Sequence, residues 1–78
     1  MATIINNVYH LLVHLKILVV GYGSIGKRHV DNLRKIKHVE LLVCTKNKEA
    51  NILKKNGVKI FESLAESLKE KPDVGIIC

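Results

Sequence analysis

The chain has 78 residues, 13 Lys+Arg against 7 Asp+Glu for a formal charge of +6, and 47% apolar content. There is room for one small domain with a marginal core, since a chain this short buries only about 60–65% of its unfolded surface. Two cysteines exclude a disulfide scaffold, and one proline with five glycines among abundant Ile, Val and Leu exclude low-complexity disorder.

In the first fifteen residues Ile4, Ile5, Val8, Leu11, Leu12 and Leu15 recur at helical spacing. The segment 1–15 therefore reads as an N-terminal extension forming an amphipathic helix, packed on its own domain. It lacks the basic start and small-residue cleavage site of a signal peptide, and its polar residues exclude a membrane span. His10 and His14 lie four apart, but without a third ligand they read as solvent-facing polar residues and not as a metal pair.

Ile17-Leu18-Val19-Val20 is a continuous apolar run suited to a strand buried on both faces of a parallel sheet. It runs directly into Gly21-Tyr22-Gly23-Ser24-Ile25-Gly26, followed by a helical pattern from Lys27 to Ile36 with Val30, Leu33 and Ile36 inward. A second strand, Leu41 to Cys44, completes a βαβ unit. A GxGxxG turn in that context is a dinucleotide-binding signature. Gly21 makes the tight turn out of the strand, Gly23 admits the pyrophosphate backbone, and Gly26 lets helix and sheet pack closely. The helix N-terminus then faces the anion with free N–H groups and a favourable dipole.

The end of the second strand bears on the cofactor. An acid there favours NAD, whereas this chain reads Cys44-Thr45-Lys46-Asn47, with no acid until Glu49. A hydroxyl followed by a cation suits a 2′-phosphate, so Thr45 and Lys46 lean the expectation from NAD towards NADP.

Beyond it, Asn47 or Thr45 caps a second helix to about Lys55 with Ala50 and Leu53 inward, and Gly57 stops it. Val58 to Phe61 is a third strand. Ser63 to Glu66 has capping-box spacing and opens a third helix towards Lys71, which Pro72 ends. Val74 to Cys78 is a fourth strand. The alternation predicts an α/β fold with a partial doubly wound, Rossmann-like parallel sheet of four strands in the order 3-2-1-4. In that order the first two helices cover one face, the third covers part of the other, and the fourth strand is an apolar edge open to a homo-oligomer or a partner strand. Cys44 and Cys78 end strands two spacings apart, about 9–10 Å, too far to bond. Both are expected as buried free thiols in a reducing, cytoplasmic setting.

Ten of the thirteen basic residues lie between Lys27 and Lys59, with only Asp31, Glu40 and Glu49 among them. Such a region suits nucleic acid, an anionic surface or a phosphate-bearing ligand. Tyr9, Tyr22 and Phe61 are too scattered for a platform that stacks single strands, so a solvated lysine face is the expectation and nucleic acid only the weaker alternative.

The runs ILVVGYGSIGKRH (17–29) and KPDVGII (71–77) resemble the N-terminal cofactor domain of Gfo/Idh/MocA oxidoreductases, such as glucose–fructose oxidoreductase and inositol dehydrogenase. The resemblance covers roughly residues 16–78 and implies the first part of a dinucleotide-binding Rossmann domain. It places Tyr22, Gly23, Ser24 and Ile25 along the pyrophosphate and Thr45 and Lys46 near the adenosine ribose of NAD or NADP. It further implies an oxidoreductase acting on a sugar, polyol or related substrate. The family's lysine-bearing catalytic motif and acid–base residues follow the fourth strand and have no counterpart here. No catalytic residue and no metal site is therefore assigned, and the chain alone is expected to be catalytically silent. A non-catalytic nucleotide-sensing module on the same fold is the alternative.

Overall fold

The computed structural model describes residues 15–78. Its elements are β1 (Leu15–Val20), α1 (Ser24–Leu33), β2 (Val39–Cys44), a 3₁₀ helix (Lys48–Asn56), β3 (Lys59–Phe61), α2 (Leu64–Leu68) and β4 (Val74–Ile77). All strand pairs are parallel, and the order is β3-β2-β1-β4. The fold is the α/β class with the strand order that the sequence implies.

Register explains the core. Ile17 pairs with Leu41 and Val19 with Val43, so their side chains share one face of the sheet. Val30 and Leu33 of α1, Ala50 and Leu53 of the 3₁₀ helix, Tyr22 and Val58 pack onto that face. On the other face Leu18, Leu42 and Cys44 are buried together, with Val20 and Phe61 against them. The five-residue α2 lies against β2 and β3 on that side. Its buried Ser67 is satisfied by donating its hydroxyl to the Leu64 carbonyl at 2.7 Å.

Several boundaries differ from the sequence expectation. Leu15, assigned by spacing to the N-terminal helix, is the first residue of β1 and pairs with Val39; the rest of that predicted helix lies outside the described residues. α1 begins at Ser24 and ends at Leu33, so Ile36 falls beyond it and is exposed. β1 and β2 each begin two residues before their apolar runs, pairing Leu15 with Val39 and Lys16 with Glu40. Lys16 is further held by its N–H, which donates to the Asp73 carboxylate at 2.8 Å, and by its ammonium, which donates to the Glu70 carbonyl at 2.7 Å.

The second helix is 3₁₀ and not α. Three residues per turn place Ala50 and Leu53, both buried, on one ridge, and Lys48, Asn51 and Lys54 on another. Asn47 caps it by accepting the Glu49 N–H at 3.0 Å, and Gly57 closes it in the left-handed conformation with φ 81°. The third helix is shorter than expected: Ser63 accepts the Glu66 N–H as its cap, but the chain leaves the helix after Leu68. Lys71, before Pro72, adopts a positive φ of 54°, outside the right-handed helical region that a following proline disfavours. Glu66 does not complete the capping box among the described residues; its carboxylate pairs with Lys69 at 3.2 Å.

Candidate functional site

The glycine turn sits at the carboxyl end of β1, between the ends of β2 and β4. The Gly21 N–H donates to the Cys44 carbonyl at 2.9 Å, and the Cys78 N–H donates to the Val20 carbonyl at 3.0 Å. Gly21 has φ 104°, a conformation that side chains disfavour, and a Cβ there would also press on the Cys78 carbonyl at 3.3 Å. At Gly26 a Cβ would lie 2.3 Å from the Gly21 carbonyl oxygen, closer than any side chain tolerates. These two glycines therefore serve one contact: the first turn of α1 rests directly on the backbone that leaves β1.

Gly23 has a different role. Nothing lies within 4 Å of where its Cβ would be, and its φ of −82° suits any residue. The fold itself gives no reason for glycine here, and the space a side chain would fill opens onto the start of α1. Gly23 is the N-cap, with no side chain capping the helix and no acid in the first turn. Its carbonyl takes the Lys27 N–H at 2.8 Å, so the N–H groups of Ser24, Ile25 and Gly26 precede the helical ladder. Ser24 and Ile25 are exposed beside them. The result is an uncapped helix N-terminus behind a bare backbone, a favourable environment for an anion.

Tyr22 contributes only its backbone to this turn. Its ring is buried in the core, with the Lys27 ammonium 5.6 Å from the ring centroid, and its carbonyl accepts from the Asn47 amide at 3.2 Å. Asn47 thus ties the glycine turn to the start of the 3₁₀ helix. A second tie lies outside: Lys27 and Glu49 form an exposed ion pair at 2.6 Å. The hydrogen bond and charge of Lys27 hold the Glu49 carboxyl below its ordinary value, and Glu49 likewise raises the Lys27 ammonium. Sequence reading missed both Asn47's second bond and this pair. Separations of 25 and 22 residues hide them, and only the fold, which sets the start of the 3₁₀ helix beside the glycine turn, brings them together.

Thr45 and Lys46 lie at the end of β2, next to the turn in register. The Thr45 hydroxyl accepts the Asn47 N–H at 3.0 Å and keeps its own proton to donate. Lys46 is exposed, and both line a cleft of about 460 Å³ with Lys48, Asn51 and Ser63. Glu62 and Glu66 line the same cleft.

One expectation for the cysteines is corrected. Cys44 is buried, but Cys78 is exposed, because β4 is the sheet's edge and nothing in the described residues lies beyond it. Its sulfur comes within 3.9 Å of the Gly26 Cβ position, which puts a free thiol at the rim of the glycine turn. No cluster of metal-ligating side chains occurs among the described residues, and no helix there is long and apolar enough to cross a membrane. No family model, curated protein or solved structure was found to match the chain.

Proposed function

We propose that the chain is the NAD(P)-binding portion of an oxidoreductase, holding the pyrophosphate of a dinucleotide over the Gly21–Gly26 turn. The observation that carries this reading is the division of labour among the glycines. Gly21 and Gly26 are needed by the fold, while the fold makes no such demand at Gly23, which fits a ligand's close approach there. The uncapped N-terminus of α1 supplies N–H donors and positive potential at that place.

NADP is favoured over NAD. The carboxylate nearest in sequence to the ribose position, Glu49, is engaged by Lys27, while Lys46 and the Thr45 hydroxyl proton remain available for a 2′-phosphate. The bound nicotinamide would supply hydride transfer, and the chain's own residues bind and orient it. A sugar, polyol or related compound is the substrate class that the resemblance suggests for the enzyme as a whole, and the reducing cytoplasm its setting.

Calorimetric titration of the folded chain with NADPH and NADH tests the proposal. NADPH should bind more tightly, and Lys46→Ala should weaken NADPH while leaving NADH nearly unchanged. Gly23→Phe should abolish both without altering the circular dichroism spectrum. A folded Gly23→Phe variant that still binds would remove the glycine-turn assignment.

A further inference from the structure

A group of basic residues away from the glycine turn collects at the opposite pole. In a parallel sheet both α1 and the 3₁₀ helix run back to the amino edge of the strands, so their C-termini meet there. Arg34 lines one hollow of about 490 Å³ with Glu40, Asn56 and Gly57, which makes the two termini neighbours and sets one carboxylate, shared with Lys59, at the edge of the pole. Arg34, Lys35 and Lys37 follow α1, Lys55 ends the 3₁₀ helix, and all four are exposed; Lys54 instead lines the cleft at the end of β2.

Their counter-charges are spent elsewhere. Glu40 and Glu70 face Lys59 at 3.8 and 3.0 Å, and Asp73 accepts the Lys16 N–H. None of the four cations forms an ion pair among the described residues, and residues 1–14 contain no carboxylate. Asp31, which shares a hollow with Arg34 and Lys35, offsets one charge. Two helix C-termini, each equivalent to about half a negative charge, offset roughly one more. A surplus of about two positive charges remains, more than the helix dipoles require.

We infer that this pole binds the phosphodiester backbone of duplex nucleic acid without reading its sequence. Phosphates need only lysine and arginine. A protein partner would call for an aromatic or apolar anchor, and a lipid surface for a broad apolar face. Among these cations the structure offers a single exposed isoleucine, Ile36. Single strands would need stacking rings, yet Tyr22 is buried and Phe61 lies at the other end of the sheet. This surface is separate from the glycine turn and does not depend on it.

Fluorescence anisotropy of the whole chain with a labelled mixed-sequence duplex of about 20 base pairs tests the inference, scanned from about 50 to about 200 mM salt. Two neutralised phosphates predict roughly a twelvefold loss of affinity over that range. The double variant Lys35→Glu, Lys37→Glu should lose at least about tenfold in affinity at low salt while its thermal melt is unchanged. Gly23→Phe should bind duplex like the parent. No binding at low salt, or a double variant that binds like the parent, overturns the inference. So does polyglutamate or a phosphatidylserine vesicle that competes better than unlabelled duplex.

Discussion

At the scale of single residues, two glycines three positions apart in one turn are distinguished by what surrounds them. The Cβ of an alanine at 26 would sit 2.3 Å from the Gly21 carbonyl, a backbone atom that cannot rotate away. Relief requires lifting α1 off β1, and with it Val30, which is fully buried. Gly26→Ala should therefore destabilise the fold by about 3 kcal/mol or more, the upper end of overpacking costs. Gly23→Ala meets open space at an ordinary φ and should change the melting temperature little. Parallel urea titrations of the two variants check this directly. Equal stability of both would mean that helix and turn do not make the contact described.

At the scale of elements, the glycine turn and the 3₁₀ helix are locked by Asn47 inside and Lys27–Glu49 outside. The ion pair has a defined pH signature. Because Glu49 is held below the ordinary 4.5 when folded, its contribution is present above 4.5 and is lost as pH falls through the lowered folded value. Lys27 is raised above 10.5, so its contribution holds below 10.5 and disappears as pH rises through the raised value. Carboxyl NMR titration should find Glu49 below the ordinary midpoint in the parent and back near it in Lys27→Met. An unshifted parent midpoint would mean that the pair does not persist in solution. The strands that carry this lock were legible in the sequence because their apolar runs are continuous: Ile17–Val20 and Leu41–Cys44 are buried on both faces and leave no other pattern. The 3₁₀ helix was legible as a helix but not as 3₁₀. Ala50 and Leu53, its buried pair, are three apart, a spacing that satisfies both periods. The glycine turn was legible because each glycine answers a backbone constraint. The Lys27–Glu49 contact was not, since it depends on the fold setting the start of the 3₁₀ helix beside the glycine turn.

For the whole molecule, the two edges of the sheet are protected unequally. At one edge β3 is three residues long and carries Lys59, which makes it a poor template for further pairing. At the other, β4 reads Val-Gly-Ile-Ile, with Val74 exposed and Ile77 85% exposed. Among the described residues its outer edge has no strand partner, and its side chains carry no charge to discourage one. The net charge of +6 opposes close approach between copies, but its long-range part is screened beyond roughly 8 Å at physiological salt. Association through β4 should therefore strengthen as salt is added, the reverse of what the basic pole does with a polyanion. Ile77→Lys puts a charge on the edge without removing a buried side chain, so it should lower the sedimentation-average mass at high protein concentration and leave the melting temperature nearly unchanged. Equal self-association of the parent and Ile77→Lys would show that β4 is not the surface through which copies meet.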